Sequence, residues 1–254
     1  MRGLVMETDL GHDPDDLFAL LLFIAVKAPL AAVCLSPGDP YQVAIARAVL
    51  DHFALKVPVL TPKARVPKEK AKPGFHAWVV EQLGGAAVAD ADGHEELLPK
   101  EPVDVFVCGP VRMAHLVTPS SITVQGGFVP YALHRPRVVL EKFEGHDAFA
   151  TFNLGGTKPA VQSALIDADV PHRWVGKNVC HTVVYTPEVH ARFAASTPSS
   201  SSLSSSSSSS SSSEALRLHS AFMARYLDKH GRKAFHDPLA ALLHVKPEIG
   251  RAHV

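Results

Sequence analysis

Short apolar runs alternate with helical stretches along almost all of the 254 residues, and that rhythm leaves few architectures open. Strands are expected at 4–8, 31–35, 57–60, 103–108, 122–124 and 173–175. Helices are expected at 15–27, 41–53, 76–83, 157–167, 187–195 and 214–227, with a further helix starting in the run 235–244. The stretch 41–53 sets Val43, Ala46, Val49, Leu50 and Phe53 on one face at helical spacing. Residues 84–100 read as an Ala-, Gly- and charge-rich loop with one turn of helix. Strands followed by helices in this order imply an α/β fold, an open and mostly parallel sheet with helices on both faces. A chain of this length buries roughly three quarters of its unfolded surface in one domain.

One segment breaks the rhythm. Residues 196–213 are nearly pure Ser, with Thr197, Pro198 and Leu203 as exceptions. Such a tract has too little apolar surface to offset its ordering entropy, so a flexible loop within the single domain is expected.

Charge and composition exclude several function classes. Lys plus Arg equals Asp plus Glu, 25 of each, which argues against a nucleic-acid partner bound through a broad basic field. No run of about 18 apolar residues is present, so no membrane span is expected. The first residues enter the strand run Leu4-Val5-Met6 with no charged-then-apolar leader. Cys34, Cys108 and Cys180 are odd in number and scattered, which reads as buried thiols rather than a disulfide frame or zinc site. A cytoplasmic protein, with homo-oligomerisation open, is the resulting expectation.

The chemistry concentrates where the first strand meets the first helix. Glu7, Asp9, Asp13, Asp15 and Asp16 fall within ten residues. In α/β folds, ligands gather at the carboxyl ends of strands. Two unit charges about 4 Å apart repel by roughly 4 kcal/mol at an effective dielectric near 20. A helix N-terminus relieves at most about 1–2 kcal/mol of that. A bound cation is the simplest remedy. Capping and dipole complement are the bland reading for such acids, and Asp13 stands open between ligand and cap.

The run Thr8-Asp-Leu-Gly-His-Asp-Pro-Asp-Asp16, followed by Leu-Phe-Ala-Leu, resembles the N-terminal signature of the inosine–uridine nucleoside hydrolase family. Further segments agree with that family in order: Gly38-Asp39, Cys108-Gly-Pro-Val111, Gln125-Gly-Gly127, Thr151-Phe-Asn153, Val179-Cys-His181 with Thr186-Pro-Glu188, and His236-Asp-Pro-Leu239. The resemblance spans nearly the whole chain, which is compact for the family, and the shared order is its specific part.

The resemblance implies a Rossmann-like fold and Ca²⁺-dependent hydrolysis of the N-glycosidic bond of a riboside. Carried over by position, Asp9, Asp16 and Asp237 are the expected carboxylate ligands, and a carbonyl of Val111 or Arg112, taken here as Arg112, completes the protein shell. Hard oxygen ligands of this kind suit Ca²⁺ better than Mg²⁺. Asp9 is also the expected general base, and His236 the group that protonates or stacks on the leaving base. Asp15, Asp39 and Asn153 are expected to hold the sugar. Glu7 is expected to back the metal or pair with a Lys, and His76, His181 and Tyr226 are candidates to line the base pocket. Thr151 and Gly145 replace a Glu and an Asn that grip the ribose 5′-hydroxyl in the family, so altered recognition is expected there. Two alternatives stand beside this reading. One is a lapsed homologue that binds ribosides without turnover. The other is a Mg²⁺-dependent phosphohydrolase, which also carries aspartates after a first strand but leaves His236-Asp237-Pro238 unexplained.

Overall fold

The structure, a computed structural model, describes residues 2–11, 13–63, 77–133, 138–196 and 207–250. Its main sheet has six parallel strands: β1 Leu4–Thr8, β2 Leu30–Leu35, β3 Val59–Leu60, β4 Val103–Val107, β5 Pro119–Gln125 and β6 His172–Val175. Their spatial order is β3-β2-β1-β4-β5-β6. The helices are α1 Pro14–Ala25, α2 Pro40–His52, α3 Ala77–Gln82, α4 Phe152–Gly155, α5 Pro159–Ile166, α6 Lys177–Cys180, α7 Pro187–Ser196, α8 Ser207–His230 and α9 Asp237–Val245. A small antiparallel pair, β7 Val184–Tyr185 and β8 Lys233–Ala234, stands apart from the main sheet. The α/β class and parallel sheet expected from the rhythm are what the chain forms.

The order of the strands places the site. From β1 the chain moves outward through β2 and β3, then returns to lay β4 on the other side of β1. The direction of winding therefore reverses between β1 and β4, which opens a crevice at their carboxyl ends. Asp9 follows β1 and Cys108 follows β4, which places both at that end of the sheet.

Alternation along the strands divides the core into two. Leu4 and Met6 join Phe18, Phe23 and Phe106 on one face, whereas Val5 joins Val105, Val107 and Ile122 on the other. Each such side chain, when fully buried, contributes about 1.5–3 kcal/mol. Phe23 and Phe106 meet edge to face at 5.0 Å between centroids. Helix α1 packs against α8 and α9 as well as lying over the sheet-side core, which is why its run Leu17 to Ile24 carries no polar stripe.

The Ser-rich tract needs a correction. Helix α8 begins at Ser207, ahead of the expected start at Glu214, so the loop expected over 196–213 does not extend through 207–213. Ser212 Oγ donates to the Ala25 carbonyl at the end of α1, which anchors this turn without apolar burial. The rest of the tract, 197–206, lies outside the described residues. So does His76. Helices α4 and α6 and the β7–β8 pair were not expected, because elements of two to four residues are too short for periodicity to register. The one turn of helix expected within 84–100 is Glu95–Leu97. Among the described residues no helix is long and apolar enough to cross a membrane. All three cysteines are free and buried.

Candidate active site

The first loop turns its acids in different directions. Thr8, at the end of β1, donates its hydroxyl in a short hydrogen bond to Asp16 Oδ1 and accepts the Leu10 amide at 3.2 Å. Thr8 thereby ties the last residue of the strand to the first turn of α1. Asp13 occupies the N-cap position and Pro14 the first helical position, a standard entry to a helix. The Asp13 side chain makes no capping bond. Instead Lys233 Nζ donates to its Oδ2 at 2.6 Å, while its Oδ1 makes no hydrogen bond among the described residues.

Asp16 and Asp237 come from opposite ends of the chain and meet in the interior. Together with Cys108 they form a group whose candidate ligand atoms all lie within 4.8 Å of one another. Asp237 opens α9, placed by the Pro238 that follows it at the helix start. Burial, and then the negative charge of its neighbours, holds both carboxyls well above the usual carboxylate range. Burial and the field of Asp15 raise Asp9 to about 7. Buried acids that repel one another and raise each other's proton affinity are a donor set in want of a cation. The oxygens suit a hard divalent ion. The Cys108 thiol does not: burial keeps it protonated, and it donates to Asp16 Oδ1 at 3.5 Å. The expected ligands Asp16 and Asp237 are thus brought together, with Asp9 close enough to act on both electrostatically.

Asp15 turns the other way. Its Oδ2 accepts from Lys233 Nζ at 2.9 Å and faces His236 Nδ1 at 3.2 Å, while its buried Oδ1 has no partner. Burial pushes this carboxyl up, but the neighbouring Asp13 and His236 side chains and the charge of Lys233 outweigh it, so Asp15 is held below its ordinary value. His236 is the N-cap residue of α9 yet uses its ring on Asp15, not on the helix. His181 lies against it, ring centroids 4.9 Å apart.

Asn153 sits in α4, buried, and its Nδ2 donates to the Gln125 carbonyl at 3.0 Å and to Gln125 Oε1 at 2.8 Å. Gln125 Nε2 in turn donates to Cys180 Sγ at 3.6 Å. The amide nitrogen of Asn153 is therefore committed within the fold.

Asp39 plays a role that the sequence reading gave to sugar binding alone. Its Oδ1 accepts the amides of Tyr41 and Gln42, each at 2.9 Å, and Gln42 Oε1 accepts the Asp39 amide at 3.1 Å. That is a capping box at the start of α2, typically worth about 1 kcal/mol for the N-cap alone. Arg112 is exposed at the side chain, and its amide is held at 2.6 Å by Glu7.

Glu7 forms no ion pair with a Lys among the described residues; it holds the backbone of the turn that carries Arg112. It is fully buried, and its carboxylate accepts the amides of Arg112, Met113 and Ala114 at 2.6–3.2 Å. Burial raises it to about 7 in spite of those bonds. Glu7 shares a strand face with Val5, so period-2 alternation alone points it toward the turn after β4. Lys233 was missed altogether. Its only sequence signal is a Lys three residues before His236, and its burial depends on the β7–β8 pair, which carries no readable pattern. Tyr226 stacks on His230 at 4.4 Å. A separate apolar cavity of about 290 Å³, lined by Phe18, Leu21, Tyr185, Phe193, His219 and Phe235 among others, contains none of the acids.

No protein-family model matches the chain, and no curated protein matches it. Solved structures do. A plant nucleoside hydrolase aligns over 97% of this chain and 79% of its own length, with 16% identity and a TM-score of 0.62. The inosine–uridine preferring nucleoside hydrolase from Bacillus anthracis covers 98% and 83% respectively, with 15% identity and a TM-score of 0.60. The type III effector protein XopQ, solved with adenosine diphosphate ribose, covers 95% and 80%, with 15% identity and a TM-score of 0.56. The fold is that of the nucleoside hydrolases.

Proposed function

We propose that the chain is a Ca²⁺-dependent N-ribohydrolase, cleaving the N-glycosidic bond of a ribonucleoside or related riboside. The observation that carries this reading is the meeting of Asp16 and Asp237 at the switch between β1 and β4, beside Asp9. The neighbours named as nucleoside hydrolases, and the one solved with adenosine diphosphate ribose, support it. The phosphohydrolase alternative leaves the His236-Asp237-Pro238 start of α9 unexplained.

In this reading Asp9, Asp16 and Asp237, with the Arg112 carbonyl, hold the cation. When bound, Ca²⁺ lowers the pKa of a water molecule and offsets the repulsion among the acids. Glu7 fixes the peptide amide of Arg112 and so fixes that turn. Asp9 takes the proton from the attacking water. The water oxygen bonds to the anomeric carbon, and the N-glycosidic bond breaks with its electron pair leaving on the base, through an oxocarbenium-like transition state. Asp15, kept ionised by Lys233 and His236, accepts from a ribose hydroxyl through its unpartnered Oδ1. Asn153 Oδ1 accepts from another, and Asp39 shapes the neighbouring turn and lends its second oxygen. His236, oriented through Nδ1 by Asp15, presents Nε2 to the leaving base.

Reducing-sugar release from a panel of purine and pyrimidine ribonucleosides tests the reading. Release with Ca²⁺ that chelator abolishes is expected. Calcium binding without release from any riboside would leave a lapsed homologue instead.

A further inference from the structure

Beside the acidic crevice lies a patch of opposite character. Lys142 Nζ donates to His181 Nδ1 at 2.9 Å and lies 5.1 Å from the Phe143 ring centroid. Lys177 Nζ donates to the Ala150 carbonyl at 3.1 Å and lies 4.6 Å from the Phe149 ring centroid. Phe143 packs edge to face on Phe149 at 5.0 Å and against His181 at 5.5 Å, so one aromatic floor joins the two lysines. Both ammonium groups donate to neutral acceptors. Glu141, Glu144 and Asp147 share the loop with Lys142, yet among the described residues no carboxylate lies within ion-pair distance of either lysine. An aromatic face attracts a cation without neutralising it.

The patch adjoins the sugar-facing residues on two sides. His181 meets His236, which holds Asp15. Lys177 donates its backbone amide to Gly127 at 2.9 Å, and Gly127 donates to Thr151 Oγ1 at 3.3 Å, two residues before Asn153. Burial, and then the positive charges of His236, Lys142, Lys177 and Lys233, hold the His181 imidazole down at about 4. A neutral His181 that accepts from Lys142 at Nδ1 carries its proton on Nε2, a further donor. Two ammonium groups and an imidazole N–H are donors only, and donors are what a phosphate's oxygens require.

We propose that the rim formed by Lys142, His181 and Lys177 receives a phosphate group carried by the riboside, so that the preferred substrates are phosphorylated ribosides rather than free nucleosides. This deepens the ribohydrolase reading and rests on it for the placement of the sugar. The binding step itself needs no turnover, which makes it separately testable. Calorimetric titration of the full chain in Ca²⁺ would compare ribose 5-phosphate, ribose and inorganic phosphate, for the wild type and for Lys142→Met/Lys177→Met. Charge-assisted contacts of this number predict that ribose 5-phosphate binds at least about tenfold more tightly than ribose. The double variant is expected to bring that ratio below about threefold, and inorganic phosphate is expected to compete with ribose 5-phosphate and to bind more weakly. Equal affinities for the two sugars, no measurable binding of ribose 5-phosphate, or a ratio that survives both substitutions would overturn the proposal. Inorganic phosphate binding as tightly as ribose 5-phosphate would also overturn it, by showing a free anion site instead. A chain that prefers ribose 5-phosphate yet releases no sugar from any riboside keeps the rim and loses the hydrolase reading. Hydrolysis of nucleosides with equal sugar affinities does the reverse.

Discussion

Lys233 Nζ lies 2.9 Å from Asp15 Oδ2, in an ion pair buried at both ends. The pair joins β8 to the first turn of α1 and keeps one carboxyl of the acidic cluster ionised while its neighbours are pushed toward protonation. Removing one partner of a buried pair leaves an uncompensated charge and costs about 3–5 kcal/mol. Lys233→Met is therefore expected to lower stability by about 3 kcal/mol, since Asp13 on the same lysine is half-exposed. Lys233→Met/Asp15→Asn is expected to recover most of the loss. Chemical denaturation of the two variants and of Asp15→Asn closes the cycle, and no recovery in the double variant would show that the pair is not the source.

Glu7 makes a second buried demand. Its carboxylate satisfies three backbone amides of the turn after β4. A buried donor left unsatisfied costs about 1–3 kcal/mol. Glu7→Ala is expected to cost roughly 3 kcal/mol or more, and Glu7→Gln, which keeps one acceptor oxygen, clearly less. Equal losses for Ala and Gln in urea unfolding would contradict this.

Gly109 marks the closest approach between the ends of β4 and β1. A Cβ there would stand 2.6 Å from the Asp9 amide nitrogen and 2.8 Å from the Thr8 carbonyl carbon. Backbone cannot yield as a side-chain tip does, so Asp9 must move. Displacement of a reacting group by about 1 Å can cost about 10²-fold in rate. Gly109→Ala is expected to lose catalytic rate on that order, mainly in kcat; unchanged turnover would remove Asp9 from the chemistry or show the turn to be slack.

His219 gives the pH dependence. It sits among Phe18, Phe193 and Phe235 in the apolar cavity, and burial lowers it from 6.5 to about 4. Above pH 6.5 the ring is neutral in both the folded and the unfolded chain and contributes nothing. As pH falls from 6.5 toward 4 the unfolded chain binds the proton first, so stability falls, by up to about 3 kcal/mol, and levels off below. The difference in unfolding free energy between wild type and His219→Phe should follow that course. A difference independent of pH over this window would contradict it.

What the sequence reveals and what it conceals follow from range. β1, β4 and the acids behind them are legible because alternation and run length are local, and Asp237 because its His-Asp-Pro setting is distinctive. Asp39 followed by Gln42 has the spacing of a capping box, a local role that the sugar-binding expectation passed over. Lys233 is opaque because a two-residue strand buries it. Glu7 could have been placed by asking which face Val5 occupies. The helical start at Ser207 is invisible to propensity, since Ser offers no apolar face and the support comes from Ala25 across the fold.

The central claim is that Asp9, held beside Asp16 and Asp237, removes a proton from water at a calcium-dependent site. Reducing-sugar release is measured on the most responsive riboside, with wild type and Asp9→Ala, in Ca²⁺ and in chelator. The account predicts release by the wild type in Ca²⁺ only, and a loss of at least about 10²-fold in Asp9→Ala that added Ca²⁺ does not restore. Turnover by Asp9→Ala at the wild-type rate, or wild-type turnover indifferent to chelator, would contradict it.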